Sequence, residues 1–147
     1  MSRTAFVTGA SGFVGSHLLH VLHNEGWNIH LLARSTSPME EIQEIPCELH
    51  IGDVTDAESV IAAIPDKADA VFHVAASTNF WSKKNAEQTR INVEGTRNLL
   101  EAAVSAQVGR FIHTSSFVTW GFTDKEINED SVRTDSSDWI NYVRTKH

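Results

Sequence analysis

The chain reads as an α/β protein built on one doubly wound parallel sheet, and three observations carry that reading. Five short apolar runs alternate with longer segments whose apolar residues recur at helical spacing, the pattern of repeated βαβ units. The runs are nearly continuous in apolar residues, as strands buried on both faces must be. A glycine series, Gly9, Gly12 and Gly15, follows the first run directly and opens the first helical segment.

Strands are expected over 4–8, 28–32, 48–51, 70–74 and 110–114. The first helix, over 12–25, carries Phe13, Val14, Leu18, Val21 and Leu22 as its apolar positions, with Gly26 as its stop. Thr55-Asp56-Ala57-Glu58 has capping-box spacing and opens a short helix toward Ile64, before Pro65. The longest helical pattern, 86–106, places Ile91, Val93, Leu99, Leu100 and Val104 on its apolar stripe. Ser136, Ser137 and Asp138 offer N-caps for a last helix beginning near Trp139. No repeat, low-complexity tract or linker interrupts the chain, so residues 1–147 form one domain. Right-handed crossovers put the ligand crevice at the carboxyl ends of the strands, near the first one.

Composition narrows the partners. A net charge of −7 without a Lys/Arg cluster argues against binding a nucleic-acid backbone. The single cysteine, Cys47, excludes an internal disulfide and fits a reducing compartment; its apolar surroundings read as those of a buried thiol. No apolar run nears the roughly 20 residues that span a bilayer, and no secretory leader is evident at the start. A cytoplasmic protein acting on a small molecule, away from membranes, is the expectation.

The glycine series makes a pyrophosphate seat. Glycine lets the backbone turn tightly and approach the phosphates, and a helix N-terminus supplies free N–H groups and a positive dipole end. Within Gly9-Ala10-Ser11-Gly12-Phe13-Val14-Gly15, Ser11, Phe13 and Val14 join the three glycines as candidate cofactor contacts. The end of the second strand lacks the Asp or Glu that usually binds an NAD ribose 2′-hydroxyl. It offers Arg34 and Ser35 instead. Arg34 suits bidentate pairing with a 2′-phosphate, which favours NADP(H) over NAD(H). Asp53 and Val54 follow the third strand and are candidates for the adenine edge; alternatively Asp53 only begins the turn before Thr55.

Tyr142 is the chain's only tyrosine, and Lys146 stands four residues on. On a helix the two share a face. A nearby ammonium favours a phenolate and brings a phenol toward acid/base work near neutrality. Ser115 and Ser116, directly after the fifth strand, offer a hydroxyl to hold the substrate oxygen for the Tyr142 proton. The alternative is a Ser-Ser turn without chemistry.

Val7-Thr8-Gly9-Ala10-Ser11-Gly12-Phe13-Val14-Gly15, Gly52-Asp53-Val54-Thr55-Asp56 and His73-Val74-Ala75-Ala76 carry a resemblance. Asn92-Val93-Glu94-Gly95-Thr96-Arg97-Asn98-Leu99-Leu100, Thr114-Ser115-Ser116 and Tyr142-Val143-Arg144-Thr145-Lys146 complete it. In this order they resemble the extended branch of the short-chain dehydrogenase/reductase superfamily, which includes epimerases, dehydratases and reductases on a Rossmann fold. The resemblance implies a Ser/Tyr/Lys catalytic set, with Ser116 the better match counting back from Gly121 and Ser115 the runner-up. It implies that Ala75, Ala76 and Ser77 line the cofactor, and that Asn92 supports a proton-relay water beside the lysine. It also implies a homodimer through the long helix and the Tyr/Lys helix. The substrate domain that the family builds after the Tyr/Lys helix is expected to lie outside these 147 residues.

Trp120 departs from the tyrosine of many nucleotide-sugar enzymes of the branch. Arg34 with Phe72-His73-Val74-Ala75-Ala76 is most similar to the dihydroflavonol-reductase and hydroxysteroid-dehydrogenase types. The leading expectation is an NADP(H)-dependent oxidoreductase acting on a carbonyl or secondary alcohol. The rivals are an epimerase or dehydratase with a tightly held cofactor, and a non-catalytic dinucleotide-binding fragment or redox sensor. Phe80 and Trp81 either wall the substrate or plug the crevice. His17, His20 and His23 recur every three residues, so they precess around the helix, and no metal is expected there.

Overall fold

A computed structural model describes residues 2–40, 43–121, 123–124, 126–133 and 139–147. Its five strands are β1 (Thr4–Thr8), β2 (Asn28–Ala33), β3 (Glu48–Ile51), β4 (Ala70–His73) and β5 (Phe111–His113). They form one parallel sheet in the order β3-β2-β1-β4-β5. The order reverses beside β1, which opens the crevice between the ends of β1 and β4.

Alternation along each strand builds two cores. Ala5 and Val7 of β1, with Ile29, Leu31 and Ala33 of β2, pack against Leu19 and Leu22 of α1 (Phe13–Asn24). On the opposite face Phe6, Leu32 and Val71 meet Val60 and Ala63 of α2 (Ala57–Ala63). Leu99, Ala102 and Ala103 of α4 (Gly95–Ser105) complete that second core. The period-2 pleat therefore explains why each run is apolar throughout.

α1 ends where expected. Gly26 has φ +72°, and the N–H groups of Gly26 and Trp27 donate to the carbonyls of His23 and Leu22, closing the last turn. The cap of α2 differs by one residue from the expectation. Asp56, rather than Thr55, accepts from the N–H groups of Glu58 and Ser59: its carboxylate reaches them from the extended N-cap conformation, while the Thr55 hydroxyl turns back to Asp53. The proposed caps Ser136, Ser137 and Asp138 lie outside the described residues; the last helix, α5 (Asn141–Lys146), follows Ile140 as its N-cap.

Two apolar stripes are also reassigned. α1 buries Gly15, Ser16, Leu19 and Leu22, while Phe13, Val14 and Val21 are exposed. α4 buries Gly95, Leu99, Ala102 and Ala103, leaving Leu100 and Val104 exposed. Small residues share both contact faces with leucines: Gly15 packs against the Gly9 backbone and Gly95 against Val54, close approaches that hydrophobicity alone does not reveal. The helix predicted over 86–106 is continuous but not uniform: α3 (Asn85–Thr89) passes through a wide π turn, Arg90–Glu94, into α4. Such single π turns concentrate at functional sites. Cys47 is half-buried, and burial pushes its thiol up.

Candidate active site

The loop after β1 uses its glycines in different ways. Gly9 has φ +77°, and a Cβ there would come within 2.4 Å of the Ala75 backbone nitrogen. A Cβ on Gly15 would meet the Gly9 carbonyl oxygen at 2.2 Å. These two glycines allow backbone to pass against backbone. Gly12 is different: its Cβ would touch only the Gly9 oxygen, at 3.4 Å, so its missing side chain leaves open ground at the start of α1. That helix start has no side-chain cap and no acidic residue in its first turn. Phe13 and Val14 beside it are 81% and 55% exposed, an unusual state for apolar residues on a core helix.

These features line a cleft of about 630 Å³. It brings together Gly9, Ser11, Gly12, Phe13, Val14 and Gly15 from the loop, Arg34 after β2, and Ala75, Ala76 and Ser77 after β4. Tyr142 and Lys146 form its far side. A smaller cavity of about 60 Å³ continues past Arg34 between Leu32, Gly52 and Val54. Val54 is held there by the Asn98 amide, which donates to its carbonyl at 2.9 Å, and by Gly95, where a Cβ would sit 2.7 Å from a Val54 methyl.

Ser35 is exposed and lines neither cavity. Ser37 lines the smaller one instead, because its N–H closes a turn onto the Arg34 carbonyl at 2.9 Å and folds the segment back. Asp53 lies behind the wall: its Oδ1 accepts from the N–H and hydroxyl of Thr55 at 2.9 and 2.8 Å, the turn-forming role the sequence left open. An uncapped helix start facing an open cleft, with Arg34 as a guanidinium at one end, fits a phosphate-bearing dinucleotide.

At the Tyr142 and Lys146 end of the cleft, Lys146 Nζ donates to the Thr114 carbonyl at 2.8 Å, and burial pushes its ammonium down. The Tyr142 ring meets Phe80, with centroids 5.6 Å apart. Phe80 thus reaches the site through the tyrosine, although it is itself largely exposed. Ser115 lines the large cleft and a neighbouring cavity of about 310 Å³ shared with Trp120, Arg133 and Lys146. Ser116 is half-buried and lines neither; it caps the 3₁₀ turn Phe117–Trp120, its carbonyl accepting from the Thr119 N–H and hydroxyl.

Asn92 sits on the π turn and is buried. Its Oδ1 accepts from the Ser77 N–H at 2.7 Å, and its Nδ2 donates to the Ser77 carbonyl and the Thr145 hydroxyl, both at 3.0 Å. The amide joins the cleft loop to α5.

Beneath the cleft lies a second network. His73 is buried on β4, with Nδ1 2.8 Å from the Thr8 hydroxyl and Nε2 2.9 Å from the Thr96 hydroxyl. Burial, reinforced by His113 and Lys146, pushes His73 down to about 3, so its ring is neutral. Thr96 donates to the Asn92 carbonyl at 2.7 Å and must therefore accept from His73 Nε2–H. That tautomer leaves Nδ1 to accept from Thr8, which in turn accepts from the Ala75 N–H at 3.4 Å. One directional chain thus ties β1, β4, the cleft floor and the π turn together.

Thr8, Thr96 and Asn98 stood in the sequence only as members of the resembling motifs, with no role of their own, and Ser37 stood in none of them.

Comparison with known proteins agrees with this architecture. The chain is 35% identical over 116 residues to a 3-beta-hydroxysteroid dehydrogenase of Mycolicibacterium neoaurum, covering 75% of this chain and 31% of that protein. It is 31% identical over 123 residues to a dihydroflavonol 4-reductase of Dianthus caryophyllus, covering 78% of this chain and 34% of the relative. The chain thus spans about a third of the length of these curated relatives. A crystal structure of a short-chain dehydrogenase/reductase superfamily protein from Agrobacterium tumefaciens, with bound NAD, superposes with a TM-score of 0.81. Its identity is 27%, over 98% of this chain and 42% of that one. Residues 5–146, from β1 to the end of α5, match the profile of the NAD dependent epimerase/dehydratase family, and the chain belongs to that family.

Proposed function

We propose that this chain is the dinucleotide-binding part of an NADP(H)-preferring oxidoreductase that interconverts a small-molecule carbonyl and its secondary alcohol. The observation that carries the reading is the cleft that runs from Arg34, past the uncapped start of α1, to Tyr142 and Lys146. When bound, the nicotinamide supplies or accepts the hydride.

The chain's own residues do the rest. Arg34 pairs with the 2′-phosphate, and the first-turn N–H groups of α1 take the pyrophosphate. Lys146 spends one donor on Thr114 and keeps two for a ribose hydroxyl. Tyr142 moves the proton to or from the substrate oxygen, and Ser116 hydrogen-bonds that oxygen. Asn92 is a positioning residue that holds the loop at Ser77 against the helix bearing Tyr142. Exposed Leu100 and Val104 on α4 support a homodimer through that helix. The single cysteine supports a cytoplasmic setting.

The test is a calorimetric titration of this chain with NADPH and, separately, NADH, repeated on Arg34→Ser. NADPH is expected to bind more tightly, with the variant losing roughly ten- to hundredfold for NADPH alone. Equal or tighter binding of NADH overturns the preference. The family profile also covers epimerases and dehydratases. A dinucleotide that co-purifies and appears only on denaturation favours that second reading.

A further inference from the structure

We propose that His30, Glu48 and His50 form a binding site for a divalent transition metal of the Zn²⁺ type, at the outer edge of the sheet and apart from the cleft. Three ligand atoms converge there from two adjacent strands. His30 Nδ1 lies 3.2 Å from His50 Nε2 and 3.6 Å from Glu48 Oε2, and His50 Nε2 lies 3.5 Å from Glu48 Oε1. Tetrahedral zinc with ligands at about 2.0–2.2 Å has ligand-to-ligand edges of roughly 3.3–3.6 Å. The two nitrogens therefore already stand about one tetrahedral edge apart, the Glu48 carboxylate presents a different oxygen to each, and the fourth corner is left to water.

The sheet sets this arrangement. His30 is in register with Glu48, and His50 stands two residues further on the same face of β3, so no loop has to order to assemble the set. The ring centroids are 5.5 Å apart and the rings only 14° from parallel. With facing nitrogens at 3.2 Å, that centroid distance requires the rings to meet edge to edge, nitrogen toward nitrogen. One proton is shared along that line, and the Glu48 carboxylate straddles both nitrogens. A metal ion replaces the shared proton after a modest rotation of each ring, and the carboxylate supplies the third bond.

The Asn28 amide nitrogen Nδ2 lies 3.3 Å from His30 Nε2 and donates to it, which leaves the ring proton on Nδ1, facing His50. Metal binding displaces that proton, and turning the amide over would let its oxygen accept from Nε2–H and hold the ligating tautomer. Two imidazoles and one carboxylate suit Zn²⁺ and its neighbours rather than Mg²⁺ or Ca²⁺, which take oxygen ligands. The ion would tie edge strand β3 to β2 immediately before Gly52 and Val54, which wall the small cavity beside Arg34.

The test uses untagged protein titrated calorimetrically with ZnCl₂, alongside the visible bands of added Co²⁺. Expected are one ion per chain, tetrahedral Co²⁺ bands, a higher Tm with Zn²⁺, and binding at least about tenfold weaker in both Glu48→Gln and His50→Gln. Glu48 has an exposed side chain, so its variant separates lost ligation from lost folding. Absence of binding overturns the proposal. So does binding that survives both variants, or that falls instead with His17→Gln and His23→Gln.

Discussion

The Asn92 side chain grips both backbone groups of Ser77, accepting from its N–H at 2.7 Å and donating to its carbonyl at 3.0 Å. This pairing mimics a strand contact between a helix side chain and the loop leaving β4. The second Nδ2 donor reaches the Thr145 hydroxyl, one residue before Lys146. The loop that lines the cleft and the helix that carries Tyr142 are thus set by one buried amide.

Replacing Asn92 by alanine leaves the half-buried Ser77 N–H and the Thr145 hydroxyl without this partner. A loss of about 1–3 kcal/mol is expected, read as a lower denaturation midpoint. Asn92→Asp, which keeps the acceptor but loses both donors, should recover part of it. A midpoint unchanged in the alanine variant contradicts the clamp.

Tyr142→Phe removes the proposed proton donor and keeps the ring against Phe80. In the complete protein, turnover should fall by roughly 10²–10⁴-fold while dinucleotide affinity is retained. Ser116→Ala should cost on the order of 10²-fold and Ser115→Ala less. The reverse order transfers the substrate hydrogen bond to Ser115, the serine that lines the cleft.

His73 imposes an acid sensitivity. Its folded pKa of about 3 lies below its ordinary value of 6.5, so between these values the unfolded chain binds the extra proton. Stability from this group is complete above the upper value and is lost as pH falls through the window, at up to about 1.4 kcal/mol per pH unit. Urea unfolding at roughly pH 7.5 and 5.5 reads the slope. His73→Gln should be less stable at the higher pH but show a flatter profile; an equally steep one assigns the sensitivity elsewhere.

The glycines should separate by mechanism. Gly26→Ala meets open space and costs only the left-handed backbone, about 1–2 kcal/mol. Gly9→Ala adds a backbone collision at 2.4 Å and should be far more damaging, to the point of preventing folding. Gly12→Ala is expected to leave thermal stability nearly unchanged while weakening NADPH binding. A Gly12 variant that binds as tightly as the parent argues against a phosphate seat at this position.

What the sequence determined by itself was the alternation of strands and helices, the stop at Gly26, and most of the cleft. Those features rest on local rules: period, turn chemistry, and motifs lying at strand ends. Only the tertiary structure decided which residues act together across distance. Phe13 and Val14 read as core at helical spacing, but they face the cleft because the helix packs through Gly15 and Leu19 instead. Ser37 replaces Ser35 at the cavity wall because a turn folds the chain back. The His73 chain and the His30, Glu48 and His50 cluster join strands far apart in sequence. Their geometry depends on strand order and register, which periodicity does not encode.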